Sequence, residues 1–391
     1  MLQKLLLIPA GFCKMEKYSE YDGVICFAGE DWWYHNHGHF DMKVMECLSK
    51  DKKILFVNSV GMRVPTIGKS SKILNKIIRK LKSIAKGAVK VSDNFFVYSP
   101  FYLPGKSSEK LSAFLLKIQI KWHAKQLGMT NPLIWVVTPT VSKTALELSK
   151  DVIYQRTDKN EELSDGDFEY IKHHVKLLQK NAMLTIYSSN ELKISEELSC
   201  KKALHISHGI ADVFFDKRSY NLKNELNNDN AKKVLFVGAI DSHTFDIKLL
   251  LKAAAQHSDV NFYLVGDVSL DNDINLPSNV IFLGKKEQEE IPSYLNKADV
   301  LAMYWLQNDW IKYCSPIKFK EYLSAGKPIV STQFSGCYEF ESKAVYISNC
   351  HETFLVNLSL ALNTNIIDKQ NMTVHTWSNK TNDIIKAINE I

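Results

Sequence analysis

Short runs of β-branched and aromatic residues alternate twice over with longer helical patterns, and one polar, asparagine-rich stretch separates the two blocks. Strands joined through helices form a parallel sheet covered on both faces, so this alternation fixes the class of fold. In the first block the expected strands are 23–28, 53–58, 95–99, 133–138, 152–155, 183–188 and 203–207. Helical patterns cover 40–49, 109–127 and 168–180 between them. The stretch 219–231 (SYNLKNELNNDNA) reads as a linker. Strands are expected again at 233–237, 261–265, 280–283, 300–304 and 328–331. The expectation is an α/β protein of two doubly wound, Rossmann-like units facing a central cleft. Ligands of such units lie beyond the C-terminal ends of the strands.

A chain of 391 residues with 45% hydrophobic content has material for two buried cores. The apolar run near its start, Leu5 to Ile8, is shorter than the ~7–15 residues of a secretory leader or the ~20 of a spanning helix. A cytoplasmic protein is therefore expected. Seven cysteines stand at 13, 26, 47, 200, 314, 337 and 350 without CxxC spacing. They read as reduced thiols and exclude a disulfide framework or a zinc ribbon.

The most specific stretch runs from Ser315 through Pro316, Lys318 and Glu321 to Gly326, Pro328 and Thr332 (SPIKFKEYLSAGKPIVST). Ser315 is suited to cap a helix and Pro316 to begin it. Gly326 suits its end, and Pro328 forbids continuation. The free N–H groups and positive dipole end of such a helix favour an anion such as a diphosphate. Lys318 adds a full charge in the first turn. Glu321, three residues on and on the same face, can accept both hydroxyls of a ribose. The plain alternative is a capped helix with a solvated Lys and Glu.

Residues 315–332 resemble the donor-binding helix of GT-B glycosyltransferases of the family-4-like, group 1 kind, whose pattern is roughly S-P-x-K-x-x-E-Y-L-A-x-G-K-P-V-V. Val234–Ile240, with Gly238, resembles the first strand and glycine loop of their donor domain. Ser207–Phe215 resembles the crossover into that domain. Val280–Gly284 resembles the strand whose following backbone meets the base. Thr376-Trp-Ser-Asn resembles the start of a terminal helix that returns to the first domain. The first half is similar in architecture only, closest to polysaccharide-assembly enzymes of the teichuronic-acid and xanthan glucuronosyltransferase kind. The resemblance implies an acceptor-binding unit at 1–212, a nucleotide-sugar-binding unit at 213–375 and a returning helix at 376–391. It implies donor contacts at Gly238, Gly284, Ser315, Pro316, Lys318 and Glu321, and no bound metal or other cofactor. This chain has Tyr313 where retaining relatives often carry Glu, and Ala239 where many carry Arg or Lys.

The loop 29–40 (GEDWWYHNHGHF) follows the first expected strand and should reach the cleft. Asp31, Trp33, His35, His37 and His39 are candidates for sugar or acceptor contact, because aromatics stack on sugar rings and polar groups bond hydroxyls. Packing within the loop is the alternative; alternating histidines on a loop are a weak metal signal. Asp158 ends another expected strand. Xanthan-type relatives have an acidic general base at a similar place, and a base must reach the acceptor hydroxyl while ionised. A helix cap or an ion pair with Arg156 is the alternative.

Between Asp51 and Asp93 there is no acidic residue but eleven Lys or Arg, more than the net charge of +6 of the whole chain. Within it, Ile73, Ile77, Leu81 and Ile84 fall on one helical arc, and Lys76, Arg79, Lys80 and Lys82 on the other. A helix with an all-cationic polar face suits an anionic membrane surface. Packing on the first unit with a solvated basic face is the alternative, and no nucleic-acid motif accompanies the charge. Together these readings predict a glycosyltransferase of surface polysaccharide synthesis (capsule or exopolysaccharide), peripheral on the inner face of the cell membrane. It would move a sugar from a UDP-linked donor to a lipid-linked or polymeric saccharide. A GT-B epimerase and a non-enzymatic nucleotide-sugar-binding scaffold are the rivals.

Overall fold

The computed structural model describes residues 16–34, 37–60, 78, 81–103, 105–159, 161, 168–226, 230–270, 275–364 and 366–391. The first unit holds an eight-stranded sheet of β1 (Gly23–Phe27), β2 (Lys53–Val57), β3 (Ala88–Ser92), β4 (Phe95–Tyr98), β5 (Pro132–Val136), β6 (Val152–Arg156), β7 (Leu184–Tyr187) and β8 (Ala203–His205). Their order is β3-β4-β2-β1-β5-β6-β7-β8, and all neighbours are parallel except β3 with β4. The strands are rich in Val, Ile and aromatics because both faces are covered. Val24, Cys26, Ile54 and Phe56 point to one core, Ile25, Phe27, Leu55 and Val57 to the other.

The second unit is built likewise from β9 (Lys233–Val237), β10 (Ile240–Asp241), β11 (Asn261–Val265), β12 (Val268–Ser269), β13 (Val280–Gly284), β14 (Val300–Met303), β15 (Ile329–Thr332) and β16 (Val345–Ser348). Six of these form an all-parallel sheet in the order β13-β11-β9-β14-β15-β16, and β10 pairs with β12 beside it. The strand order reverses direction at β1/β5 in one unit and at β9/β14 in the other. The open crevice of a doubly wound sheet lies at that switch point.

Two crossings join the units, and they run side by side. Ile210 bridges to Thr376 and its N–H donates to the His375 carbonyl at 2.8 Å. A Cβ on Gly209 would lie 2.7 Å from the Trp377 ring, so only glycine permits this approach. Thr376 then caps the helix Trp377–Asn389. That helix returns to the first unit and buries Trp377, Ile384, Ala387 and Ile388 among Met42, Met45 and Leu48. Truncating a buried Trp of this kind costs roughly 3–5 kcal/mol.

The structure corrects the expected linker. Ser219–Asn221 forms a 3-10 turn, and Leu226, 2% exposed, lies in the core of the second unit. Tyr220 donates to the Phe214 carbonyl at 3.0 Å and Asn224 to Ser293 at 3.2 Å. Asn221 and Asn224 bond neighbouring backbone and side-chain groups rather than marking a free tether. The actual passage between units lies just before it, at 206–212. No helix among the described residues is long and apolar enough to cross a membrane.

Candidate donor and catalytic site

The helix at the head of the site spans Ile317–Ala325. Its start differs from the expectation in one respect. Pro316, extended at φ −66° and ψ 123°, occupies the cap position itself, and no side chain caps the helix, so Ser315 does not. The Phe319 N–H turns back to the Pro316 carbonyl at 3.3 Å, and the N–H groups of Ile317 and Lys318 are left to a ligand or water. Gly326 ends the helix in the left-handed conformation, φ 73°, as its position suggested. A short helix, Asp309–Tyr313, lies between β14 and this one; the sequence reading had only a loop there.

Glu321 is 1% exposed, and Lys318 Nζ stands 3.0 Å from its Oε2. That oxygen has no aligned hydrogen bond. A buried carboxylate with a single cationic neighbour has acceptor capacity to spare, and a buried charge left so is costly unless a ligand completes it. Tyr322 anchors the same helix to the sheet, its hydroxyl accepting the Val237 N–H at 2.8 Å. Its neighbour Gly238 begins the loop after β9.

Three strand ends beside it carry glycines. Gly238 N–H donates to Val265 O at 2.9 Å, and Gly266 N–H to Gly284 O at 2.9 Å. Gly266 has φ 148°, and a Cβ on it would lie 1.8 Å from the Gly238 carbonyl oxygen. The backbones of β9, β11 and β13 thus leave the sheet without side chains in the way. Gly284, with φ 69° and open space around it, is the outermost. Sequence reasoning named Gly238 and Gly284 and missed Gly266. The signal was the repeat of a strand-ending Val or Leu followed by Gly at 237–238, 265–266 and 283–284.

From the first unit, Asp158 follows β6. Arg156 does not pair with its carboxylate. The guanidinium binds Glu161 at 2.8 and 2.9 Å and Glu196 at 2.9 and 3.2 Å, and meets residue 158 only at its carbonyl, 2.8 Å away. Desolvation raises the Asp158 carboxyl above the ordinary aspartate range, against the pull of Arg156 and His39. Nearby in the second unit lies Cys314, half-buried, whose thiol is pushed well above its usual value by desolvation, with the Asp158 charge adding. Lys159 Nζ caps the Tyr313 ring at 3.6 Å from its centre.

The loop after β1 divides. His37 stacks on Trp32, ring centres 4.0 Å apart, and bonds the Trp32 carbonyl at 3.0 Å. Asp31 accepts the Trp33 N–H at 3.0 Å, and Lys86 covers the Trp33 ring at 4.0 Å. These three hold the loop's own shape. Of the two described histidines, His39 is the one that lies close enough to Asp158, Asp41 and His208 to influence them electrostatically. His35 lies outside the described residues. Asp41, which the sequence reading passed over, is buried and accepts the Gly29 N–H at 2.9 Å, fixing the loop as it leaves β1. Burial raises its carboxyl above the usual range. Among the described residues no group of three His, Cys, Asp or Glu is placed to hold a metal ion.

Of the basic segment, Ile73, Lys76, Ile77, Arg79 and Lys80 also lie outside the described residues. Residues 81–85 are helical. Leu81 and Lys82 are exposed and Ile84 is half-buried, whereas Ser83 faces inward to Ser99 at 2.5 Å. Ile78 is exposed as well.

Residues 231–358 match the model of the family described as glycosyl transferases group 1. The Bacillus subtilis (strain 168) protein TuaH, whose name assigns it to teichuronic acid biosynthesis as a glycosyltransferase, is 33% identical over 117 residues, 28% of this chain and 29% of TuaH. The match spans less than a third of that relative's length. Among solved structures, sucrose-phosphate synthase from Thermosynechococcus elongatus superposes with a TM-score of 0.61 at 13% identity, covering 94% of either chain. Anabaena HepE, solved with UDP and glucose, superposes at 0.60 with 16% identity over 95% of this chain and 97% of its own. The trehalose-phosphate synthase of Burkholderia vietnamiensis does so at 0.62 with 11% identity over 95% and 100%. These likenesses fix the fold along nearly the whole chain, and the family match lies within its second unit, at 231–358. The chain has the GT-B fold, and its residues 231–358 are similar to the group 1 glycosyl transferases.

Proposed function

We propose that this protein transfers a sugar from a nucleoside diphosphate sugar, UDP-linked, to a lipid-linked or polymeric saccharide during surface polysaccharide assembly, working against an anionic bilayer. The observation that carries the reading is Glu321, buried at the open start of the Ile317–Ala325 helix with Lys318 3.0 Å away. The acceptor capacity its carboxylate keeps beyond the Lys318 contact suits ribose hydroxyls, and Lys318 with the uncapped amides suits the diphosphate. The three glycine strand ends give a flat nucleotide room to approach backbone. Support for the donor class comes from HepE with UDP, and for the pathway from the name of TuaH.

In the proposed reaction Asp158 takes the proton of the acceptor hydroxyl as that oxygen bonds to the anomeric carbon from the first unit's side. The bond from that carbon to the diphosphate breaks, and its electron pair leaves with the nucleoside diphosphate. Lys318 and the helix amides stabilise the charge that grows on the leaving group, which lowers the barrier because the charge is larger in the transition state. Attack opposite the leaving group inverts the anomeric configuration. No other carboxylate is supplied at position 313, where this chain has Tyr.

A thermal-shift screen of nucleotides and nucleotide sugars tests the donor class. A ligand at 100 times its Kd adds ~2.7 kcal/mol, so UDP or a UDP-sugar should raise Tm by a few degrees. Equal indifference to UDP, GDP and their sugars would remove the reading.

A further inference from the structure

We infer that the outer face of the Glu109–Gln126 helix is a membrane-inserting surface, joined to the loop that precedes it. This helix buries Ser112, Leu116, Ile120 and Ala124 against the first unit. Its opposite face is also apolar. Leu111 is 54% exposed, Phe114 60%, Ile118 51% and Trp122 56%. At 100° per residue these four fall within about 80° of arc. Phe101 and Leu103, both exposed, extend the strip on one side. Gln119 holds Phe101 by bonds at 2.9 and 3.0 Å, and Ser112 holds Leu103 at 2.8 and 3.2 Å. An ordered strip of large apolar groups facing water has nothing to gain from the solvent and marks a contact surface.

Charge selects the occupant. Lys110, Lys121 and Lys125 border or cross the strip, all exposed, and none has an ion-pair partner among the described residues. From residue 94 to residue 146 the one acidic residue is Glu109, and Lys143 holds it at 2.7 Å. A second copy of this chain laid face to face would bring these lysines against their own counterparts. An anionic bilayer takes both features at once: the apolar stripe enters the acyl boundary, and the lysine stems lie along it with their ammonium groups among the headgroups.

The placement bears on function. The loop and helix leave the C-terminal end of β4, the cleft side of the first sheet, so insertion would rest the rim of the first unit's cleft on the bilayer. The exposed Leu81 belongs to the neighbouring helix, tied in through Ser83 and Ser99. The inference rests on the reading that the acceptor is met at an anionic bilayer, and adds a second grip formed from different residues.

The test is sedimentation of the whole protein with vesicles of phosphatidylcholine alone or mixed with an equal part of phosphatidylglycerol. Wild-type protein should sediment with the mixed vesicles. Phe114→Ser combined with Trp122→Ser should lower that partition at least about tenfold, with Tm and UDP binding kept, because both side chains already face water. In Trp122→Phe, which keeps the apolar contact, sedimentation should persist while quenching of tryptophan fluorescence by brominated lipid drops. Undiminished sedimentation of the double serine variant overturns the inserting face and leaves the basic segment to account for binding. Quenching unchanged in Trp122→Phe overturns it too. Wild-type protein that ignores the mixed vesicles removes the bilayer reading itself. Lipid-free self-association that the serine pair abolishes makes a second copy the occupant, against the inference.

Discussion

Lys159 of the first unit lies with its Nζ 3.6 Å above the ring centre of Tyr313 in the second, holding the loop after β6 against the approach to the Ile317–Ala325 helix. Cation–π contacts of this kind contribute ~0.5–2 kcal/mol. Asp158, next in the chain, lies near enough to Cys314 for its charge to act on the thiol, and its carboxylate takes no hydrogen bond from Arg156. The two units thus meet beside Asp158.

Asp158→Asn should keep the shape of the site and lose the base. Turnover should fall by ~10²–10⁴-fold with UDP affinity unchanged. Desolvation raises the carboxyl above 3.8, and the carboxylate is the active form. The acid limb of the wild-type rate profile should therefore sit above the ordinary aspartate value, with activity lost as pH falls through it. Near-normal turnover in the variant, or a product with the donor's own anomeric configuration, refutes the assignment.

Lys318 and Glu321 should separate by ligand. Lys318→Ala should weaken UDP far more than uridine, since it removes the diphosphate's cation. Glu321→Gln should weaken both, since the ribose is common to them. Hydrogen bonds to charged groups are worth ~1.5–3 kcal/mol, or roughly 10- to 100-fold in Kd. Calorimetry decides this. A Lys318→Ala protein that binds UDP as well as before places the phosphates elsewhere.

The two-unit plan was legible because every strand facing two cores is a near-continuous apolar run. β3 (AVKVS) escaped notice for the opposite reason: it is an edge strand, mostly exposed, whose polar residues hide its pairing with β4. The start of the donor helix was misplaced by one residue, because Ser315 and Pro316 suit both a cap and an approach to it. Lys318 and Glu321 could be named because they share one helix turn. The electrostatic proximity of Asp158 to Cys314 could not, since it relates residues of different units through an approach that only the fold defines. Asp41 gave no signal either: a carboxylate early in a helix looks like any first-turn acid until its bond to Gly29 is seen.

Gly266 should be the least replaceable of the three strand-end glycines. Alanine there must hold φ 148° and place its Cβ against the Gly238 carbonyl, so β9 and β11 would have to separate. The cost should exceed ~3 kcal/mol. Gly284→Ala meets nothing within 4 Å and should cost only the ~1–2 kcal/mol of a left-handed residue. Thermal unfolding should rank the two variants in that order, with UDP binding lost in the first. Equal Tm values would mean that the close approach of the two backbones is dispensable.

His208 sits at the crossing between the units, half-buried with its ring against those of Phe40 and Trp377, and among the described residues no hydrogen-bond partner satisfies its Nδ1. Burial holds its pKa down to about 3, with Lys320 and His39 pressing the same way. Burial also lowers His174 to about 4. In the unfolded chain both titrate near 6.5. At pH 5 the unfolded state therefore carries protons that the folded state refuses, and stability rises with pH. The contribution is complete above pH 6.5 and is lost as pH falls from there toward 4, at up to ~1.4 kcal/mol per pH unit for each histidine. His208→Phe keeps an aromatic ring between Phe40 and Trp377 and removes one titration. Its Tm should fall less steeply than that of wild type between pH 6.5 and 4.5, while the two differ little in slope above pH 7. Parallel curves across the acid range would show that His208 accepts its proton without disturbing the crossing, and that the acid sensitivity of the fold originates in other groups.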